Sequence, residues 1–136
     1  AGVGPIVVDA SVAVQWFARE PGGEASAALV EGNQPLVAPD IMPLEVANAL
    51  CKKLRHGDVP AADLQPAVTR ILASDITLVP TLTLLERAVR LAVEINHPVY
   101  DCVYLVLAEE RGAPLASIDE RLRAAARARG LRVWRL

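Results

Sequence analysis

The amino-acid sequence predicts an α/β protein, a three-layer sandwich with helices packed around a mostly parallel sheet. Its 136 residues fit a single domain spanning residues 1–136, since compact domains usually hold roughly 100–150 residues. Hydrophobic residues make up 53% of the chain and charged residues 22%, which excludes disorder over most of its length. Short apolar segments alternate with segments of helical spacing, and this pattern indicates parallel strands joined by helices.

Five short segments are predicted as strands. The first, Ile6-Val7-Val8, is apolar and β-branched throughout, which is typical of a strand buried on both faces. The second is closed by Pro39, and the remaining three are similarly short. The predicted strands cover residues 6–8, 36–38, 76–79, 115–117 and 132–135.

Seven segments are predicted as helices, because apolar residues recur in them at helical spacing. The segment 40–55 is followed by Gly57, and Asn96-His97-Pro98 ends the segment 81–95. Glycine after a helix favours its termination, and Gly112 marks such an end. The predicted helices cover residues 11–19, 24–31, 40–55, 60–73, 81–95, 101–111 and 120–129.

Acidic residues occur where such a sheet would place a ligand site, outside the carboxyl ends of its strands. Asp9 ends the first predicted strand, and Asp119 follows the fourth. Asp101 opens an otherwise apolar helix, and Glu45 lies on or near the apolar side of the segment 40–55. Converging carboxylates would repel one another, and their oxygens suit Mg²⁺ or Mn²⁺. The sequence therefore predicts an acidic Mg²⁺/Mn²⁺ site.

Each of these acids also has a structural interpretation. Asp101 and Asp119 could each be the N-cap of the helix beside it, and Asp9 could be a turn residue or the N-cap of the helix that follows it. Glu45 could lie at the margin of its helix. Only the four residues together favour the metal site over these alternatives.

Four segments carry a resemblance to a known family: VVDASV (residues 7–12), PDIMPLEVANAL (39–50), YDCVYLVLA (100–108) and SIDERL (117–122). In order and spacing they resemble the PIN domain family, and more narrowly the VapC-type toxins of prokaryotic toxin–antitoxin pairs. The resemblance extends over essentially the whole chain. It implies a PIN-like sheet of five strands in the order 3-2-1-4-5, with a carboxylate cluster that binds Mg²⁺ or Mn²⁺.

The resemblance also implies an activity, that of an endoribonuclease hydrolysing RNA phosphodiester bonds with one or two bound cations. Asp9, Asp101 and Asp119 would be metal ligands, and Glu45 either a ligand or the base that positions the attacking water. Together these four would be the catalytic residues. Three further residues would orient ligands and waters around them: Ser11, Asn48 and Ser117, the last at a position where threonine is commoner in the family.

Basic residues around the acidic centre are the candidates for RNA binding. The last 18 residues hold six arginines against two acids, although a charged helix is often only a solvated face. His56 and His97 fall at predicted helix ends and are not expected to be catalytic. The RNA-binding candidates are Lys52, Lys53, Arg55, Arg121 and Arg123.

The formal net charge of −2 argues at first against a nucleic-acid substrate. Four of the 16 acids, however, are assigned to the metal cluster, which leaves 12 acids against 14 basic residues. The objection therefore weakens. RNA is the expected substrate, and the resemblance implies a cognate antitoxin and a homodimer as partners.

The cysteines and the hydropathy pattern predict a cytoplasmic protein. Cys51 and Cys102 lack metal-ligand spacing, and we interpret both as buried thiols in a reducing compartment. The N-terminus has no signal-peptide pattern. The longest apolar run, residues 102–108, is far shorter than the ~20 residues of a membrane span.

Two other enzyme classes with acidic α/β sites are disfavoured. A response-regulator receiver domain needs a lysine late in the chain, whereas the lysines here are Lys52 and Lys53. A haloacid-dehalogenase-type phosphatase needs an aspartate two residues after the first, where this chain has Ser11. A PIN-like scaffold that binds a partner without cleaving RNA remains as the non-enzymatic alternative.

Overall fold

A parallel sheet of four short strands forms the centre of the computed structural model, which describes residues 4–18 and 22–136. The strands are β1 (Ile6–Val8), β2 (Leu36–Pro39), β3 (Thr77–Val79) and β4 (Leu115–Ala116). Their order is β3-β2-β1-β4. β1 pairs with β2 on one side and with β4 on the other, always in parallel. The ends of β1 and β4 therefore lie side by side.

Seven α-helices surround this sheet in the described ranges. They are α1 (Ala10–Phe17), α2 (Glu24–Val30), α3 (Met42–Arg55), α4 (Leu64–Leu72), α5 (Leu85–Ile95), α6 (Val99–Arg111) and α7 (Glu120–Ala128). Short 3₁₀ turns at Ala61–Asp63 and Thr81–Thr83 precede α4 and α5. The predicted α/β class with a parallel sheet is therefore confirmed.

The helix ends differ from the predicted ones for local reasons. α3 begins at Met42 rather than at residue 40, since the Asp40 carboxylate accepts hydrogen bonds from the Thr81 backbone and hydroxyl. α5 begins at Leu85 rather than at residue 81, because Thr81–Thr83 form a 3₁₀ turn. It ends at Ile95, as predicted, where Asn96 takes a left-handed conformation with φ 54°. The first predicted helix ends at Phe17, and Arg19, its predicted end, lies outside the described residues.

The predicted fifth strand is wrong. Residues 132–135 make a single bridge, between Val133 and Leu115. Two backbone hydrogen bonds hold it, from the Leu115 N–H to the Arg132 carbonyl at 2.9 Å and from the Trp134 N–H to the Leu115 carbonyl at 2.7 Å. β4 is only two residues long, so it offers too little backbone for a longer ladder. The segment lies beside β4, where a fifth strand would add.

The core is built on β1 and α6. All three residues of β1 are fully buried, and residues 102–108 of α6 are buried without exception. α6 packs on β1, β2 and β4 and pairs with α5, while α1 packs against α2, α3 and α4. No helix in the described ranges is long and apolar enough to cross a bilayer. The buried run of α6 anchors the helix that carries Asp101.

The two cysteines are both free, but only one of them is buried. Cys102 belongs to the apolar face of α6, as predicted. Cys51 is exposed, so the prediction of two buried thiols is wrong for this residue. It follows the buried Leu50 on α3 and points away from the core, because adjacent helix positions face different directions.

Because Leu107 lies in the buried run of α6, we expect Leu107→Ala to cause a large loss of stability. Leu107 is fully buried, so its truncation leaves a cavity and should lower the free energy of unfolding by about 2–5 kcal/mol. The matched control is Leu82→Ala, because Leu82 is 81% exposed; it should change stability by about 0.5 kcal/mol or less. Urea denaturation of both variants checks this, and equal losses would contradict the described core.

Candidate acidic site

Asp9 lies at the centre of the site, directly after β1, and is only 5% exposed. Its Oδ1 accepts hydrogen bonds from the Ser11 backbone N–H at 3.0 Å and from the Ser11 hydroxyl at 2.5 Å. Its Oδ2 accepts from the Ser117 hydroxyl at 2.7 Å. All of these donors are neutral, so among the described residues no positive charge in direct contact offsets the buried carboxylate.

The two serines connect the ends of β1 and β4. The Ser117 hydroxyl also accepts from the Asp119 backbone N–H at 3.0 Å, and the Ser11 hydroxyl accepts from the Ile118 backbone N–H at 3.1 Å. Ser117 is fully buried. The loop that carries Asp119 is therefore held next to Asp9 by hydroxyl groups.

The structural alternatives hold for two of the four acids. Asp9 is the N-cap of α1, and Asp119 is the N-cap of α7, where its Oδ1 accepts from the Arg121 N–H at 3.0 Å. The N-cap alternative is wrong for Asp101, because α6 begins at Val99 and Asp101 lies within its first turn. Capping does not remove the negative charge, so both capping aspartates remain available as oxygen ligands.

Glu45 meets α6 through a residue that the sequence analysis missed. The hydroxyl of Tyr104 donates to Oε1 of Glu45 at 2.6 Å, and Tyr104 is only 3% exposed. Tyr104 follows Asp101 by three residues, and positions i and i+3 share one face of a helix. That spacing could have identified it.

Asp101 lies next to His97, which the sequence analysis set aside. Nδ1 of His97 is 3.7 Å from Oδ2 of Asp101, too long for a direct hydrogen bond. This nitrogen is buried without a hydrogen-bond partner among the described residues. Arg121 approaches from α7, where its guanidinium donates to the Asn96 carbonyl at 3.3 Å.

Burial raises the pKa of three of the acids, and repulsion between carboxylates raises it further in two of them. Burial is the main cause of the raised pKa of Asp9. Burial also raises the pKa of Glu45, the Tyr104 hydrogen bond partly opposes it, and the charges of Asp9 and Asp101 raise it further. Burial raises the pKa of Asp101, and the charge of Asp119 adds to the effect. Electrostatic repulsion thus links the four carboxylates in a chain: Asp9 with Glu45, Glu45 with Asp101, and Asp101 with Asp119.

The donor set fits a hard divalent cation by its chemistry, though it is not assembled around one. Carboxylate oxygens are the ligands that Mg²⁺ and Mn²⁺ prefer. In ranges 4–18 and 22–136, however, no three His, Cys, Asp or Glu side chains lie close enough to hold one metal ion. Asp9 and Asp119 point toward the N-termini that they cap. A cation would therefore have to draw the carboxylates together.

The predicted orienting and RNA-binding residues occupy different surroundings. Asn48 and Lys52 line a cleft with Glu45, and Lys53 lines a neighbouring cleft with Ser11. Asn48 makes no hydrogen bond to the four acids in the part of the chain that the structure describes.

The three arginines among the predicted RNA-binding residues differ in how exposed their side chains are. Arg55 is exposed at the end of α3, and Arg121 is exposed near the start of α7. The Arg123 guanidinium instead donates to the Ser117 carbonyl at 3.0 Å and lies 3.5 Å from Oε2 of Glu120. Arg123 is therefore engaged within the protein, next to the loop that carries Asp119.

Comparisons with known proteins agree with this arrangement. A family model described as PIN domain matches residues 6–128. No curated protein matches the chain. Among solved structures, PAE2754 from Pyrobaculum aerophilum superposes with a TM-score of 0.69 at 26% sequence identity, covering 90% of this chain and 79% of that one.

Two further solved structures share the fold at lower identity. VapC20 from Mycobacterium tuberculosis, described as a sarcin-ricin loop cleaving toxin, has a TM-score of 0.67 at 17% identity and covers 88% of this chain and 94% of that one. VapBC2 from Rickettsia felis, bound to a DNA fragment from its promoter, has a TM-score of 0.62 at 11% identity and covers 96% and 97%. At these identities the likeness is one of fold.

The raised pKa of Asp9 predicts the pH dependence of stability in EDTA. The folded state binds the Asp9 proton more tightly than the unfolded state does, so ionising Asp9 costs stability as the pH rises above about 4. Asp9→Asn removes this cost. The melting temperature of Asp9→Asn minus that of the wild type should therefore become more positive between pH 4 and pH 7.

Asp40→Asn is the matched control, with the opposite sign. Hydrogen bonds from Thr81 lower the pKa of Asp40, so its ionised form stabilises the fold above about pH 4, and that stability is lost as the pH falls. The corresponding difference for Asp40→Asn should become more negative as the pH rises. Slopes of the same sign in the two variants would contradict the described surroundings of Asp9.

Proposed function

This chain belongs to the PIN domain family, and we propose that it is a Mg²⁺- or Mn²⁺-dependent endoribonuclease, the toxin of a toxin–antitoxin pair. The observation that carries the proposal is the set of coupled acids. Asp9 and Glu45 are hydrogen-bonded by neutral donors. Burial raises the pKa of Glu45 and Asp101, and repulsion from neighbouring carboxylates raises it further. Neighbouring carboxylates with raised pKa values are typical of an active centre in which a bound cation compensates their charge.

Each acid has a proposed role. Asp9, Asp101 and Asp119 would hold the cation, while Ser11 and Ser117 keep the Asp9 carboxylate in place. A bound Mg²⁺ or Mn²⁺ supplies a Lewis acid that lowers the pKa of a coordinated water and neutralises charge on a phosphate.

Glu45 is proposed as a ligand or as the base that takes a proton from the attacking water. Its Oε1 accepts the Tyr104 hydrogen bond, and no hydrogen bond within residues 4–18 and 22–136 engages Oε2, which is therefore available to water. Its raised pKa makes the carboxylate a better proton acceptor than an exposed glutamate. Asn48 lies one helical turn further along α3 on the wall of the same cleft, where its amide would orient water or substrate.

RNA is the proposed substrate, and the action is proposed to be cytoplasmic. The lysine side chains at the two clefts, Lys52 and Lys53, would contact phosphates on either side of the acids. Arg55 and Arg121 are exposed and would extend this contact, with Arg123 supporting the Asp119 loop. Lysine and arginine supply most contacts to nucleic-acid backbones.

The proposed protein partners are a cognate antitoxin and a second copy of the chain. The structural likeness to VapBC2 from Rickettsia felis supports the proposal of an antitoxin. The alternative function is a PIN-like scaffold without nuclease activity. It is favoured by the absence, in the described ranges, of three acids within reach of one metal ion.

Replacing Asp9 tests the nuclease proposal directly. Asp9→Asn should lower Mn²⁺-dependent cleavage of total cellular RNA by at least about 100-fold, because the change removes a charged ligand. Asp63→Asn is the matched control at an exposed aspartate and should cleave like the wild type. Sequencing of RNA ends maps the cleavage sites. Equal cleavage by wild type and Asp9→Asn would contradict the proposal and favour the scaffold.

Removing the Tyr104 hydroxyl tests how Glu45 is positioned. Tyr104→Phe should lower kcat by about 10- to 100-fold with little change in KM, because Glu45 loses the donor that orients it. Thr83→Val is the control, since it removes an exposed hydroxyl that donates to the Pro80 carbonyl at 2.7 Å. Steady-state cleavage of one mapped site measures both variants. A change confined to KM would contradict the assigned role of Tyr104.

A further inference from the structure

A cleft of about 760 Å³ lies along α3 beside the acidic side chains. Its lining includes Leu44, Glu45, Asn48 and Lys52 from α3, and Tyr100 from the first turn of α6. The α3 residues recur at intervals of three and four positions, so they form one face of the helix. The cleft therefore runs from the reaction centre toward a lysine.

The walls of the cleft are unusually apolar for exposed surface next to a charged site. Leu44 is 67% exposed and Tyr100 is 60% exposed. The chain has five aromatic residues, all within the described ranges, and Tyr100 alone is exposed. Phe17 and Tyr104 are buried, and the two tryptophans are half-buried. The exposed aromatic ring thus lies next to Asp101 and in the same cleft as Glu45.

Polar groups along α3 give the cleft a direction. Glu45 lies near one end, and Lys52 lies about two helical turns away from it. Lys52 forms no ion pair within residues 4–18 and 22–136, so its ammonium group can bind a phosphate. Between them the exposed amide of Asn48 can both donate and accept hydrogen bonds, as the edge of a nucleobase requires.

We propose that this cleft is a nucleobase site, in which Tyr100 stacks on the base of a nucleotide that adjoins the phosphate to be cut. The proposal rests on the proposed ribonuclease function. Leu44 covers the apolar part of the base, Asn48 contacts its edge, and Lys52 holds a neighbouring phosphate. The site selects RNA in which this base is unpaired, since a base inside a duplex cannot stack on a side chain.

The cleft suits a base better than an extended peptide. An extended peptide is usually bound by the free backbone groups of a strand edge. The backbone groups of the α3 face are instead used within the helix. An exposed aromatic ring with a nearby cation is the usual pairing for single-stranded nucleic acid.

The first test combines a change in the protein with a change in the RNA. At a mapped cleavage site, Tyr100→Ala should raise KM by about 5- to 100-fold, and Tyr100→Phe should recover most of the affinity because the ring remains. RNA with an abasic ribose at the flanking position should be cleaved equally poorly by wild type and Tyr100→Ala. Val93→Ala is the control at another exposed apolar residue, 81% exposed.

Additive effects of Tyr100→Ala and the abasic ribose would overturn the nucleobase site. So would unchanged RNA kinetics in Tyr100→Ala; a loss of antitoxin binding in that variant would then assign the cleft to a protein segment. Because Tyr100 is exposed, its truncation should leave the melting temperature unchanged, which separates lost stacking from misfolding.

A second test does not depend on cleavage, so the two proposals can fail separately. The protein is added stepwise to a pool of single-stranded RNA 12-mers, each with one 2-aminopurine, in a buffer that contains Ca²⁺ in place of Mg²⁺. Wild type and Tyr100→Phe should quench the 2-aminopurine fluorescence by stacking, and Tyr100→Ala should not. If the wild type quenches but does not cleave with Mg²⁺ or Mn²⁺, the nuclease proposal fails and the base site stands. Equal quenching by wild type and Tyr100→Ala overturns the base site.

Discussion

At the end of β1, the carboxylate of Asp9 is 5% exposed, and within the described part of the chain it receives hydrogen bonds only from neutral groups. Placing a carboxylate there costs free energy unless it is protonated or compensated. The surrounding elements are arranged around this constraint. Ser11 and Ser117 supply hydroxyl donors, and through their own acceptor contacts they fix the loop that carries Asp119. The parallel pairing of β1 with β4 brings these groups together.

Two other acids near Asp9 are also partly buried, so ionising them costs free energy as well. Glu45 reaches the centre from α3 and is held by Tyr104, while Asp101 projects from the first turn of α6. The charges of Asp9 and Asp101 raise the cost of ionising Glu45, and the charge of Asp119 raises the cost of ionising Asp101. The buried run of α6 fixes both Asp101 and Tyr104 in space. Core packing thus maintains a concentration of negative charge that the fold alone does not neutralise, and a divalent cation is the partner that would.

Much of this arrangement could be predicted from the sequence, because it follows from local patterns. Short apolar runs predicted the four observed strands, and the ends of two of these runs pointed to Asp9 and Ser117. The fifth strand was overpredicted because pairing length depends on the neighbour, and β4 has only two residues to offer. Tyr104 escaped notice because an apolar helix face resembles core, and its contact with Glu45 depends on how two helices pack. The exposure of Cys51 likewise depends on which face of α3 meets the sheet.

Calorimetric titration of Mn²⁺ in two buffers of different ionisation enthalpy tests the central claim most directly. If the partly buried acids bind one cation together, Mn²⁺ binding should release protons near pH 5. Carboxylates with a raised pKa must lose their protons to become ligands. The release should shrink toward neutral pH, and Asp9→Asn should weaken binding. Binding without proton release at every pH, or no binding by the wild type, would contradict the account.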